Sequence, residues 1–169
     1  MKEAVIFFSK AGENFCSGKI SKMEVGATEV IARKIAKRLM IPCCPLVPIT
    51  PYPDCYEALL AQGKKEAILN ERVPYQINGV KIEALDKVFL GYPNWYGSYP
   101  QIVATFLADY CFTGKVIVPF CTHEGSRFGH SLEALATSCP QAIIQSGLPI
   151  RGSRVERADK AINYWLEIK

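Results

Sequence analysis

The chain has 169 residues, 49% apolar and 21% charged, which suits one globular domain over residues 1–169 and excludes disorder. Twenty basic against 16 acidic residues leave a net charge of +4. That charge is too mild and too scattered to mark a nucleic-acid binder, since the densest group (Arg33, Lys34, Lys37, Arg38) falls on the polar side of a predicted helix. No apolar run approaches a membrane span, and Met1-Lys2-Glu3 leads straight into a strand without room for a signal peptide, so a soluble cytoplasmic protein is expected.

Short apolar runs alternate with helical patterns along the chain. The first run, residues 4–8, reads as a strand and is followed by Ser9-Lys10-Ala11-Gly12-Glu13-Asn14. A long connection then leads to Gly26-Ala27-Thr28, which opens a helix marked by Ile31, Ile35 and Leu39 at helical spacing. A second strand is predicted at 43–47, amid Pro42, Pro45, Pro48, Pro51 and Pro53, which read as a rigid extended connection. A helix over 57–69 follows, and the polar stretch 70–86 is expected to wrap an edge. The third strand, 88–91, precedes a helix carrying Ile102, Val103, Phe106, Leu107 and Tyr110. The fourth, 116–120, precedes a helix at 132–136. The fifth, 142–145, precedes a last helix with Ala158, Ile162 and Trp165 on one face and Ser153 as its expected N-cap.

The strands are apolar without alternation, the pattern of a parallel sheet covered on both faces. Five of them alternating with helices predict an α/β three-layer sandwich with a five-stranded parallel sheet in the order 2-1-3-4-5. Ligands of such sheets bind beyond the carboxyl ends of the strands, where strand order reverses. The loops after strands one, three and four are therefore the candidate site.

In the first loop, Ser9, Lys10, Ala11 and Asn14 combine with Gly26, Ala27 and Thr28 at a helix N-terminus. Free N–H groups, a hydroxyl and a cation there suit a phosphate, while a plain turn with Thr28 as N-cap is the alternative. The third-strand loop is Pro93-Asn94-Trp95-Tyr96-Gly97. Aromatics so dense in a loop call for cover, which a flat conjugated ring would supply by stacking; packing against other loops or a partner protein is the alternative. Backbone near Asn94 and Gly97 is expected to face the ring's edge. After the fourth strand, Thr122, His123, Glu124, Gly125 and Ser126 form a small, polar loop that lets backbone approach a ligand. His123 and Glu124 are adjacent in sequence, so they are not expected to work as an acid–base pair.

Seven cysteines and no leader predict reduced thiols, and two histidines without a C-x-x-C pair give no zinc pattern. The spacing Cys121-x5-Arg127 also fits a cysteine phosphatase, a weaker reading because Glu124 inside that loop would repel phosphate.

Taken together, Ser9-Lys10-Ala11-Gly12-Glu13-Asn14 with Gly26-Ala27-Thr28, Pro93-Asn94-Trp95-Tyr96-Gly97, and Pro119-Phe120-Cys121-Thr122-His123-Glu124-Gly125-Ser126 resemble the three ligand loops of the flavodoxin-like family. The likeness covers nearly the whole chain and is to the branch with a Ser-[Arg/Lys]-Ala-Gly-Glu-Asn start. It implies FMN as cofactor, the first loop on its phosphate, the second beside the isoalloxazine ring, and the third completing the pocket. It further implies electron transfer through the flavin, with no side chain acting as nucleophile or base. Position 27 is alanine where the branch often has asparagine, and the net charge is positive where carrier flavodoxins are acidic. An NAD(P)H-dependent FMN oxidoreductase acting on quinones or similar acceptors therefore stands beside the carrier reading. The electron donor is either a redox partner protein or NAD(P)H. A module that kept the fold and lost the flavin is the third possibility.

Overall fold

A computed structural model describes residues 1–168. Its central sheet is parallel and built from β1 (Glu3–Phe7), β4 (Cys43–Pro45), β7 (Lys87–Pro93), β8 (Val116–His123), β9 (Ile143–Ile144) and β10 (Leu148–Arg151). The order across it is β4-β1-β7-β8-β10, with β9 pairing the beginning of β8. The parallel α/β architecture is as expected, but the order 2-1-3-4-5 needs correction in detail. The fifth position is shared by two short strands, and four further strands lie outside the sheet. The break between β9 and β10 falls beside Pro119, which has no N–H to offer a ladder. There Gly147 crosses so closely that a Cβ would sit 2.8 Å from the Pro119 carbonyl oxygen.

Both faces of the sheet are buried because alternate residues of each strand point opposite ways. Val5, Phe7, Phe89, Val118 and Phe120 face α1 (Ala27–Leu39) and α5 (Asp159–Glu167), where they meet Ile31, Ile35, Ile162 and Trp165. Ala4, Ile6, Val88, Leu90 and Ile117 face the other way, toward α2 (Tyr56–Leu69), α3 (Gln101–Asp109) and α4 (Ser131–Ser138). An unbroken apolar strand sequence is thus two half-patterns superimposed. The predicted helices are all present; those expected at 57–69 and 132–136 run slightly longer, while Tyr110 and Ala158 fall at the caps of α3 and α5 instead of inside them. Ser153 is not the N-cap of α5: it lies in a 3-10 turn over Gly152–Arg157, and Ala158 occupies the cap position.

The connection from Asn14 to Gly26 is not irregular. It forms an antiparallel hairpin of β2 (Gly12–Cys16) and β3 (Lys19–Met23). Ser17 and Gly18 close it with φ of 54° and 81°, the left-handed pair that a tight hairpin turn requires. The proline-rich stretch contributes β5 (Val47–Pro48), which pairs β6 (Tyr75–Gln76) from the polar segment. Among the described residues, no helix is long and apolar enough to cross a membrane.

One close approach tests the packing between the sheet and α1. Gly91 lies under the Phe120 ring, and a Cβ there would enter the ring's van der Waals shell. Phe120 is itself fully buried and has nowhere to retreat. Gly91→Ala is expected to cost about 1–3 kcal/mol of stability by overpacking, measured as a shift in the urea midpoint at unchanged slope; an unshifted midpoint would contradict the packing described.

Candidate functional site

The strands β1, β7 and β8 run parallel in register, so their carboxyl ends emerge together. The three loops that follow them enclose one cleft of about 470 Å³, within the roughly 300–1,000 Å³ typical of small-molecule sites. Ser9, Lys10, Asn14, Ala27 and Thr28 line it from the first loop, and Pro93, Asn94, Trp95 and Tyr96 from the second. Thr122, His123, Glu124, Gly125 and Ser126 line it from the third. Ala11, Gly26 and Gly97 do not line it.

At one end stands the N-terminus of α1. Its N-cap is Gly26, not Thr28, and no side chain of its own caps it. Ser9 does so from the preceding loop: its Oγ accepts the Glu29 N–H at 3.0 Å. A Cβ on Gly26 would overlap that same oxygen, so glycine at 26 lets the helix come down onto Ser9. The helix end carries roughly half a positive charge. Lys10, whose side chain is only 11% exposed, adds its ammonium, which faces Asp54 at 3.6 Å and also donates to the Ala11 carbonyl. Asn14 is spent on shaping the loop, its Nδ2 donating to Lys10 O at 3.0 Å and Gly12 O at 3.1 Å.

The second loop forms an aromatic wall. Trp95 is held edge-on by Phe8 and Tyr52, with ring centroids 5.4 and 5.3 Å away and interplanar angles near a right angle. Tyr52 is anchored in turn, donating to the buried Glu66 carboxylate at 2.8 Å. Tyr96 donates its hydroxyl to Leu60 O and sits at φ 52°. Packing against neighbouring elements therefore holds for one side of these rings, while the cleft has the other. The backbone donors expected to face a ring edge are already engaged. Asn94 N–H donates to Thr122 O at 2.8 Å, and Gly97 N–H to Asn94 Oδ1 at 2.9 Å. Gly97 instead serves the junction with the third loop, its carbonyl accepting from His130 N–H at 2.8 Å.

The third loop is tied to both others. Thr122 Oγ1 and Thr28 Oγ1 share a buried hydrogen bond of 2.7 Å, joining the end of β8 to the first turn of α1. Asn94 Nδ2 donates to Arg127 O at 2.8 Å. Glu124 accepts from Ser17 N–H with one oxygen and from Ser153 N–H with the other, both at 3.2 Å. His123 accepts the Gly125 N–H on Nδ1 at 3.0 Å, which leaves its proton on Nε2. Burial, then the nearby Arg151 and Arg127 guanidiniums, hold its pKa below the ordinary value, so it is neutral at pH 7. Glu124 and His123 are separately engaged and form no acid–base pair.

The cysteine phosphatase reading fails here. Cys121 lies inside β8, 1% exposed, and burial pushes its thiol up to about 12, so it is not a thiolate at neutral pH. Its Sγ donates weakly to the carbonyls of Thr122 and Arg127, so Arg127 presents backbone and not guanidinium to it. Among the described residues, no group of three or more His, Cys, Asp or Glu could hold a metal.

Residues beyond the three loops complete the walls. Phe15, Cys16 and Met23 come from the hairpin, Tyr56, Leu59 and Leu60 from α2, and Gly152 from the turn after β10. Phe15 stacks on Tyr56 with centroids 6.5 Å apart, joining the hairpin to α2 in the wall. The signal for the hairpin wall was the Ser17-Gly18 turn.

The Thr28–Thr122 bond predicts a specific asymmetry. Thr122→Val strands the Thr28 hydroxyl in a buried place and is expected to cost about 1–3 kcal/mol. Adding Thr28→Val removes the stranded partner and recovers part of that loss. Chemical denaturation of both single variants and the double variant gives the coupling, and additive losses would exclude it.

The flavodoxin family model matches residues 23–168. No curated protein sequence matches the chain. A Bacteroides eggerthii protein described as a flavoprotein is 26% identical, with a TM-score of 0.78 over 99% of this chain and 96% of that one. A Lactobacillus acidophilus flavoprotein in complex with FMN superposes with a TM-score of 0.64 at 16% identity, over 92% and 97% of the two chains. Flavodoxin 2 of Bacillus cereus does so with 0.51 at 16% identity, over the full length of both. The last two likenesses are of fold. By the match over most of its length, this chain belongs to the flavodoxin family, whose members bind FMN.

Proposed function

We propose that the cleft binds FMN and that the protein transfers electrons through it. One observation carries this reading: a helix N-terminus with a cation at one end of a single cleft, and two anchored aromatic rings on its wall. A phosphate and a flat ring joined by a short polar chain need that combination. The residues present fit the group. Ala27 and Thr28 offer N–H groups at the phosphate end, with Ser9 and Lys10 beside them. That Ala27 lacks a side-chain amide removes one contact and leaves the backbone donors intact. The family match and the neighbour solved with FMN support the cofactor.

Bound FMN supplies the redox chemistry; the chain binds it, orients it and sets its surroundings. Trp95 and Tyr96 would flank the ring and exclude water from one face. Thr122, Gly125 and Ser126 would close the other side and the ribityl chain. No side chain in the cleft is arranged as nucleophile or general base. The Ser-Lys-Ala-Gly-Glu-Asn loop supports a kinship with that branch of the family. The electron donor is a partner protein or NAD(P)H. Steady NAD(P)H oxidation by the FMN-loaded protein alone marks an oxidoreductase, and turnover only with a separate reductase marks a carrier.

Purified protein is expected to be yellow and to release FMN on denaturation. Trp95→Ala with Tyr96→Ala is expected to weaken FMN binding about tenfold or more, read by flavin fluorescence titration. Unchanged affinity would remove the aromatic wall from the flavin site. Riboflavin, lacking the phosphate, is expected to bind at least about tenfold more weakly than FMN. Equal affinities would show that the α1 terminus does not hold the phosphate.

A further inference from the structure

Two guanidiniums, Arg127 in the third loop and Arg151 at the end of β10, are accounted for by neither the fold nor the flavin site. Arg151 ends β10 directly beside His123, its register partner across the parallel pair. Its Nη2 reaches over Gly125, 3.9 Å from where a Cβ would stand. Arg127 follows the same histidine by four residues in the loop, and both cations act on the imidazole electrostatically, opposed by the Glu124 carboxylate. The Arg127 backbone is fixed at φ 53° and held by Asn94 and Cys121 through the carbonyl, so the exposed side chain projects from a set point. Among the described residues, neither guanidinium forms an ion pair. The nearest carboxylate in sequence, Glu124, is engaged by the amides of Ser17 and Ser153. Two exposed cations near a neutral imidazole, with the engaged Glu124 carboxylate as the opposing charge, leave a net positive local field that favours an anion.

We propose that Arg127, Arg151 and the Nε2–H of His123 form an anion site at the mouth of the cleft for the phosphomonoester of a second ligand. Two forked guanidiniums and a ring N–H offer more donors than the two oxygens of a carboxylate accept, whereas a phosphoryl group has three. The flavin's own phosphate has its donors at the α1 terminus, in the first loop. Convergence on one histidine suits a single small dianion better than the spread acidic face of a protein. The inference rests on FMN occupying the cleft, and it names the class of group by which a second substrate is held there.

Calorimetric titration of the FMN-loaded protein with adenosine 2′,5′-bisphosphate, 5′-ADP and adenosine tests it. The bisphosphate is expected to bind about tenfold more tightly than adenosine. Tighter binding of 5′-ADP than of the bisphosphate would assign the site to a terminal pyrophosphate and overturn the monoester. Arg127→Gln and Arg151→Gln are each expected to weaken the bisphosphate about tenfold, while FMN affinity and the flavin spectrum stay unchanged. Equal bisphosphate binding in wild type and the double variant overturns the proposal. So does loss of FMN affinity in the variants, which would put both arginines in the flavin's site. If the chain takes up no FMN, the functional reading fails on its own, and the same titration of the flavin-free protein still reads the arginines.

Discussion

The parallel pairing of β1, β7 and β8 is the constraint on which the rest depends. Parallel strands emerge at one edge, so the loops after them have to share the same space. The chain resolves that crowding with specific bonds instead of loose contact. Thr28 meets Thr122, Asn94 reaches the Arg127 carbonyl, and His130 donates to Gly97. Three loops more than twenty residues apart in sequence thereby become one rigid surround. The cleft is what remains between them.

The polar ends of α1 illustrate how function and stability draw on the same groups. A helix N-terminus leaves four N–H groups without internal partners. Ser9 satisfies the Glu29 amide from outside the helix, and Gly26 permits the approach. Ala27 and Thr28, just ahead of Glu29, line the cleft next to a largely buried ammonium. The electrostatic character of this end is therefore a by-product of how the first loop folds back on its own helix.

Much of this was legible in the sequence, and the parts that were not share a cause. The strands and helices announce themselves through local spacing, as Ile31, Ile35 and Leu39 do. Trp95 stands out because a loop tryptophan needs cover, and it lies on the cleft wall. Local patterning fails where partners are distant. Thr28 and Thr122 are 94 residues apart, and nothing near either threonine points to the other. Asn94 and Gly97 read as ligand donors, yet their amides close the loop on itself and on β8. The division of the last strand depended on Gly147 passing Pro119, a contact between two segments. The hairpin was the exception: its Ser17-Gly18 turn stood in the sequence, within a stretch that read only as a long connection.

Glu124 brings two distant pieces of backbone under one carboxylate. Its oxygens hold the tip of the β2–β3 hairpin and the start of the turn after β10. Gly152 keeps that arrangement open, since a Cβ there would stand 2.6 Å from Oε1. A single side chain thus ties the hairpin tip to the turn after β10, and its removal would release both backbone amides at once.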